Sequence, residues 1–146
     1  MRVSTTYRRL LARRDASVLA VPNLLPTECY TYTVNSDATR NIAYNNSTAY
    51  CDQTEFSSPK WVRFMDAAGT QLASSNPGAG QCGSQYPGYL TDTHPARTGE
   101  KKTATVCYSY YGTCNWQTSI SITNCGNYFV YYLSSPGTCN LRYCTV

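Results

Sequence analysis

Apolar and polar positions along this chain alternate in short, bounded runs rather than at helical spacing. In Ser119-Ile120-Ser121-Ile122-Thr123 the isoleucines fall two apart, which sets both on one face of a strand. Trp61-Val62-Arg63-Phe64 alternates in the same way, and Tyr30-Thr31-Tyr32-Thr33-Val34 is built from aromatic and β-branched residues that suit a pleated surface. Tyr128-Phe129-Val130-Tyr131-Tyr132-Leu133 is apolar or amphipathic on both faces and is the strongest strand signal. The stretch Ser74 to Gly88, rich in glycine and holding Pro77 and Pro87, predicts a loop. There is no long helical period and no internal repeat; residues 36–50 and 66–73 favour no element. The pattern predicts a mainly β domain with small α content at most.

Residues 1–28 read differently, as an N-terminal arm or linker before a body spanning residues 29–146. The arm has no cysteine and carries most of the positive charge. Arg2, Arg8, Arg9, Arg13 and Arg14 stand there against Asp15, whereas the seven basic and seven acidic side chains of residues 16–146 cancel. A nucleic-acid reader needs a basic stripe on its folded face, so that class is excluded. The run Val18-Leu19-Ala20-Val21 is apolar enough for a short strand, and Pro22 and Pro26 hinder its continuation. Residues 1–15 lack the 7–15-residue apolar core of a signal peptide. We therefore expect the numbering to start inside a longer chain. No apolar run approaches the roughly 20 residues of a membrane-spanning helix.

Fourteen tyrosines inflate the apolar fraction of 42%, so the aliphatic core is thin for 146 residues. Eight cysteines offset this. They occupy positions 29, 51, 82, 107, 114, 125, 139 and 144. None is spaced as the close pairs that bring in tetrahedral zinc or as a redox C-x-x-C, and the single histidine, His94, precedes Pro95. An even count in a small, core-poor chain predicts four disulfides formed in an oxidising compartment. Eight cysteines allow 105 pairings, and spacing does not choose among them.

Candidate chemistry is sparse. A serine or cysteine nucleophile needs a positioned base, His94 is the only imidazole, and no local motif pairs two carboxylates. We expect no catalytic residues, no metal site and no cofactor. Tyr30, Tyr32, Tyr128, Tyr131, Tyr132 and Tyr143 either pack around cystines or form a stacking face for a sugar. Asn45-Asn46-Ser47-Thr48 holds two overlapping N-x-[ST] sequons, making Asn45 and Asn46 candidate glycosylation sites on the surface.

The cysteines and their neighbours resemble the eight-cysteine domain of the uromodulin family. The resemblance rests on Cys51-Asp52, Trp61-Val62-Arg63-Phe64, Gly69, Tyr89-Leu90, Thr93-His94-Pro95, Gly99, Cys107, Cys114-Asn115-Trp116, Asn124-Cys125-Gly126 with Tyr128-Phe129-Val130-Tyr131, and Cys139-Asn140-Leu141-Arg142-Tyr143-Cys144-Thr145. It covers residues 29–146. It implies the pairing Cys29–Cys125, Cys51–Cys139, Cys82–Cys144 and Cys107–Cys114. It also implies non-catalytic extracellular work in polymerising or membrane-anchored glycoproteins.

Two expectations about function follow. One is a secreted structural glycoprotein module that builds a filament or matrix with copies of itself or other extracellular glycoproteins, Val18 to Val21 adding as a strand to a neighbour's sheet. The other is a secreted binding module whose exposed tyrosines hold a carbohydrate or protein ligand; for the arm itself, the alternative to strand donation is packing on its own domain.

Overall fold

The computed structural model describes residues 24–46 and 49–146. The apolar run Val18-Leu19-Ala20-Val21 lies outside the described residues, as do Ser47 and Thr48 of the sequons.

Seven strands form one sheet: β1 (Thr33–Asn35), β2 (Lys60–Phe64), β3 (Tyr86–Leu90), β4 (Lys101–Tyr110), β5 (Thr113–Asn124), β6 (Phe129–Leu133) and β7 (Leu141–Tyr143). Their spatial order is β1-β2-β6-β5-β4-β3-β7. The inner pairs are antiparallel, while β1 on β2 and β7 on β3 run parallel. The described residues contain no α-helix. Single 3-10 turns at Thr27–Cys29, Ala38–Arg40, Asp66–Ala68 and Gln81–Gly83 connect the strands. The fold is mainly β.

The period-2 pattern selects the buried face. Ala104, Val106 and Tyr108 of β4 are buried, and Ala104 lies opposite Ile120 of β5. Ile122 lies opposite Tyr131 of β6, which in turn lies opposite Val62 of β2. Phe64, Leu90, Leu133, Leu141 and Tyr143 complete this face, and Phe56, Ala68 and Leu72 from irregular segments cover it. Fully burying an aliphatic or aromatic side chain contributes about 1.5–3 kcal/mol, so this layer carries most of the apolar stabilisation. Gly88 sits inside β3 for a steric reason. A Cβ there would lie 2.6 Å from the Tyr108 ring and 2.7 Å from the Arg142 carbonyl oxygen.

The strands depart from the sequence pattern in five places. The strand predicted at Tyr30 starts only at Thr33, because Cys29 N–H bonds to the Pro26 carbonyl and Tyr30 N–H to that of Thr27, curling the chain first. The run from Tyr128 pairs from Phe129 and is shorter than β4 and β5. Tyr86 to Gly88, predicted as loop, belong to β3, and neither β4 nor β7 was anticipated.

The long β4–β5 hairpin turns through Tyr111-Gly112, both at positive φ (53° and 82°), the geometry a two-residue hairpin loop demands. Tyr108 lies opposite Trp116 but Ser109 lies opposite Cys114, so Asn115 is an extra, bulged residue. Its side-chain oxygen accepts the Tyr110 N–H at 2.9 Å. The bulge shifts the strand phase by one and brings Cys114 to the face of Cys107, where the two are bonded.

Three further disulfides join Cys29 to Cys125, Cys51 to Cys139 and Cys82 to Cys144, with Cα separations of 5.6, 5.1 and 5.7 Å. No described cysteine is free. Loops of 62–96 residues are closed in this way. Cross-links over such distances contribute on the order of 2–4 kcal/mol each, which compensates for the thin core.

The β7 edge is sealed by charge. The Arg40 guanidinium grips Asp52 with two bonds of 2.7 and 2.8 Å and donates a third to the Tyr143 carbonyl. Asp52 accepts the Tyr143 N–H in return, and its own N–H donates to the Leu141 carbonyl. Thr145 N–H bonds to Arg40, and Ile42 N–H to Thr145. Arg142 donates to the Cys82 carbonyl and to Asp37, with its guanidinium 4.4 Å from the Tyr50 ring centre.

Candidate functional site

His94 serves as a packing brace. Its ring lies 4.5 Å from that of Phe129, and Nε2 is 2.8 Å from the Tyr131 hydroxyl, which accepts the Leu72 N–H. Burial, then the charge of Lys102, hold the His94 pKa below its usual value. Among the described residues no three His, Cys, Asp or Glu side chains are grouped as metal ligands.

The six tyrosines singled out in the sequence do not form one face. Tyr131 and Tyr143 are wholly buried, and the Tyr143 hydroxyl donates to the Ser134 carbonyl at 2.6 Å. Tyr128 and Tyr32, with Leu25 and Trp61, are partly buried against the Cys29–Cys125 bridge and the fully buried Val130. Only Tyr30 (62%) and Tyr132 (41%) are well exposed.

What the structure does bring together lies at the other edge of the sheet, on the face away from the core. Arg63 of β2 stands 3.7 Å from the Tyr128 ring centre and donates to the Tyr32 hydroxyl at 2.9 Å. Trp61 packs against Tyr132 with ring centres 5.2 Å apart, and the Lys101 ammonium sits 5.3 Å from the indole. Lys101 also pairs with the buried Glu28 at 2.7 Å, where Thr123 donates a second bond. Burial alone would raise the Glu28 pKa, but the Lys101 and Thr123 bonds outweigh it and hold the carboxyl below its usual range. Glu28 and Leu25 are thereby fastened to the body.

Among the described residues, no strand pairs with the outer side of this edge. β1 is the terminal strand, has only three residues, and exposes Thr33 and Val34. It meets β2 from Val62 onward, so Lys60 and Trp61 have a strand neighbour on the β6 side alone. A cleft lined by Thr31, Tyr32, Thr33, Lys60 and Trp61 occupies the space beside them. Leu24 and Tyr30, shortly before the cleft residues in the chain, are exposed. An unpaired strand edge flanked by aromatic side chains can accept an extended peptide through main-chain hydrogen bonds.

Sequence reasoning noted Trp61 to Phe64 only as a strand and missed Glu28, Arg63 and Lys101 as partners of the aromatics. Their alternation with Val62 and Phe64 put Trp61 and Arg63 on the face opposite the core, the one signal available. Asn45 and Asn46 are exposed and follow the turn at Asn41 to Tyr44.

Comparison with known proteins found a match over residues 62–145 to the uromodulin-like eight-cysteine domain. The human pancreatic secretory granule membrane major glycoprotein GP2 is 31% identical over 120 residues, covering 81% of this chain and 22% of that protein. Mouse uromodulin is 31% identical over 87 residues, 58% of this chain and 14% of its own length. Rat GP2 is 27% identical over 122 residues, with 80% and 22% covered. The chain thus spans about a fifth or less of the length of the relatives it matches.

Proposed function

Because this chain belongs to the family of uromodulin-like eight-cysteine domains, we propose that it is a non-catalytic, extracellular structural module that assembles with copies of itself, or with other extracellular glycoproteins, through its N-terminal arm. The observation that carries this reading is the open β1 edge beside the cleft at Thr31 to Thr33, Lys60 and Trp61. The segment Val18-Leu19-Ala20-Val21 is the matching donor: short, apolar, and followed by Pro22, which ends the pairing. Added antiparallel with Val21 opposite Thr33, the arm runs past Asn35 and carries Arg13 and Arg14 towards Asp37 and Asp66, which stand just beyond the ends of β1 and β2. When donor and acceptor lie on different copies, the contact is head-to-tail and propagates as a filament.

Extracellular residence is supported by four disulfides in a chain with a thin core, and by a relative whose name places it at a secretory granule membrane and calls it a glycoprotein. No described helix is long and apolar enough to cross a membrane. On this reading one of the exposed Asn45 and Asn46 carries a glycan, the other being blocked by crowding.

Sedimentation of the full chain over a range of concentrations tests the assembly. The expected result is growth of oligomers with concentration, lost both in a variant lacking residues 1–22 and in Val34→Lys, while far-ultraviolet circular dichroism keeps its β signature. Oligomers of unchanged size in those two variants would remove the arm from the assembly. A monomer at every concentration would remove self-association altogether.

A further inference from the structure

A second aromatic cluster lies at the far end of the molecule, where the β4–β5 hairpin passes the start of β3. Tyr86 stands between Trp116, 4.7 Å away between ring centres, and Tyr110, 5.4 Å away. Tyr111 leans on Tyr110 at 4.0 Å. Pairing of Tyr108 with both Gly88 and Trp116 aligns Tyr86, Tyr110 and Trp116 on the core-side face, where Tyr86 packs against the end of the core. Tyr111 is 82% exposed, and Trp116 and Tyr110 are 38% and 36% exposed.

We propose that Tyr86, Tyr110, Tyr111 and Trp116 form a binding platform for a neutral oligosaccharide. Three observations select that ligand. Firstly, the backbone beneath the platform is preorganised: the Cys107–Cys114 bridge, the Asn115 bulge and the two-residue turn at Tyr111-Gly112 set the hairpin that carries three of the four rings. That preorganisation cuts the ordering cost, and aromatic rings with two torsions add little more. Secondly, the charge matches an uncharged ligand. Thr103 through Thr123 contain no Asp, Glu, Lys, Arg or His, although the remainder of the body averages a charge about every eight residues. A charged partner finds no complement on this hairpin. Thirdly, the polar groups around the rings are amides and hydroxyls. Asn115 commits its oxygen to Tyr110 N–H and has its NH2 unengaged by any described partner, and Gln85 commits its oxygen to Asn140 in the same manner. A pyranose presents an apolar C–H face to a ring and hydroxyls at its rim, the combination such a surface holds.

This inference does not depend on the arm, whose proposed docking edge is the opposite one. The probes are mannopentaose, chitopentaose, cellopentaose and xylopentaose, each titrated into the full chain and followed by calorimetry and tryptophan fluorescence. The expected result is saturable binding of at least one, weakened roughly tenfold in Tyr111→Gly and in Trp116→Ala. Tyr111→Gly keeps a residue suited to positive φ in the turn, so its loss of binding does not come from misfolding. No saturable binding by any of the four overturns the proposal. So does full affinity in Tyr111→Gly and Trp116→Ala. A concentration-dependent dimer that Tyr111→Gly dissolves would make the platform a contact between copies, and the proposal falls in that case too.

Discussion

The two edges of the sheet are both three-residue strands laid parallel on their neighbours, yet they are finished in opposite ways. All of β7 is buried, and its outward backbone groups bond to Asp52 while Arg40 and Thr145 close the layer beside it. β1 exposes two of its three residues and is bordered by aromatic side chains and a cleft instead of a second layer. An exposed strand edge invites pairing with another chain, and folded proteins ordinarily cover or charge it. Among the described residues, one edge is covered with costly buried charge and the other is not. The contrast ties β7 to stability and leaves β1 as the edge on which the proposed assembly rests.

Breaking the sealed edge has the largest effect. Asp52→Ala strips Arg40 of its partner in a site where both are almost wholly buried, and it also orphans the Tyr143 N–H. The expected loss is about 3–5 kcal/mol, read from urea unfolding under non-reducing conditions. A loss below about 1 kcal/mol would show that water reaches this pair and that the β7 edge is not sealed.

At the open edge, the corresponding change is removal of the bridge beneath the aromatics. Replacing Cys29 and Cys125 together by alanine frees a 96-residue loop and costs about 2–4 kcal/mol in the same measurement. Val34→Lys, by contrast, should shift stability by no more than about 0.5 kcal/mol, as expected of an exposed site. On the proposed function its effect is read in sedimentation alone.

The smallest effect depends on pH. The Glu28 carboxyl has its pKa held below the usual 4.5, so the folded chain releases this proton more readily than the unfolded chain does. Its stabilisation is complete above pH 4.5 and is lost as pH falls through the lower folded value. Glu28→Gln should therefore cost about 1 kcal/mol at pH 7 and flatten the fall in stability below pH 4.5. An unfolding curve with the same acid slope in the variant would assign that slope to other carboxylates.

These contrasts were only partly legible in the sequence. Strands with clean alternation, such as Trp61 to Phe64 and Ser119 to Thr123, were readable because one face had to be apolar. β4 was not, since its second face buries Cys107 and its first begins with the small Ala104, which blurs the alternation. β7 escaped because it is three residues long with a charged centre; Arg142 becomes buriable only through Asp37 and the Cys82 carbonyl, 105 and 60 positions away. Pro87 and Gly88 disguised β3, and the reason for Gly88 is a ring on another strand. The family was legible from the cysteines and their aromatic neighbours, whereas the split of the tyrosines between core and surface was not. Tyr131 and Tyr132 are adjacent and of one type, and only the register of β6 sends the first inward and the second out.

The position of the Cys29–Cys125 bridge has a mechanical consequence. It lies four residues before β1 and anchors to the end of β5, near the middle of the sheet. Tension applied through residue 24 meets that covalent link before it reaches Thr33. A pull on the arm is thus transmitted to the central strands, and the weakly held outer strand is spared from being peeled away under load.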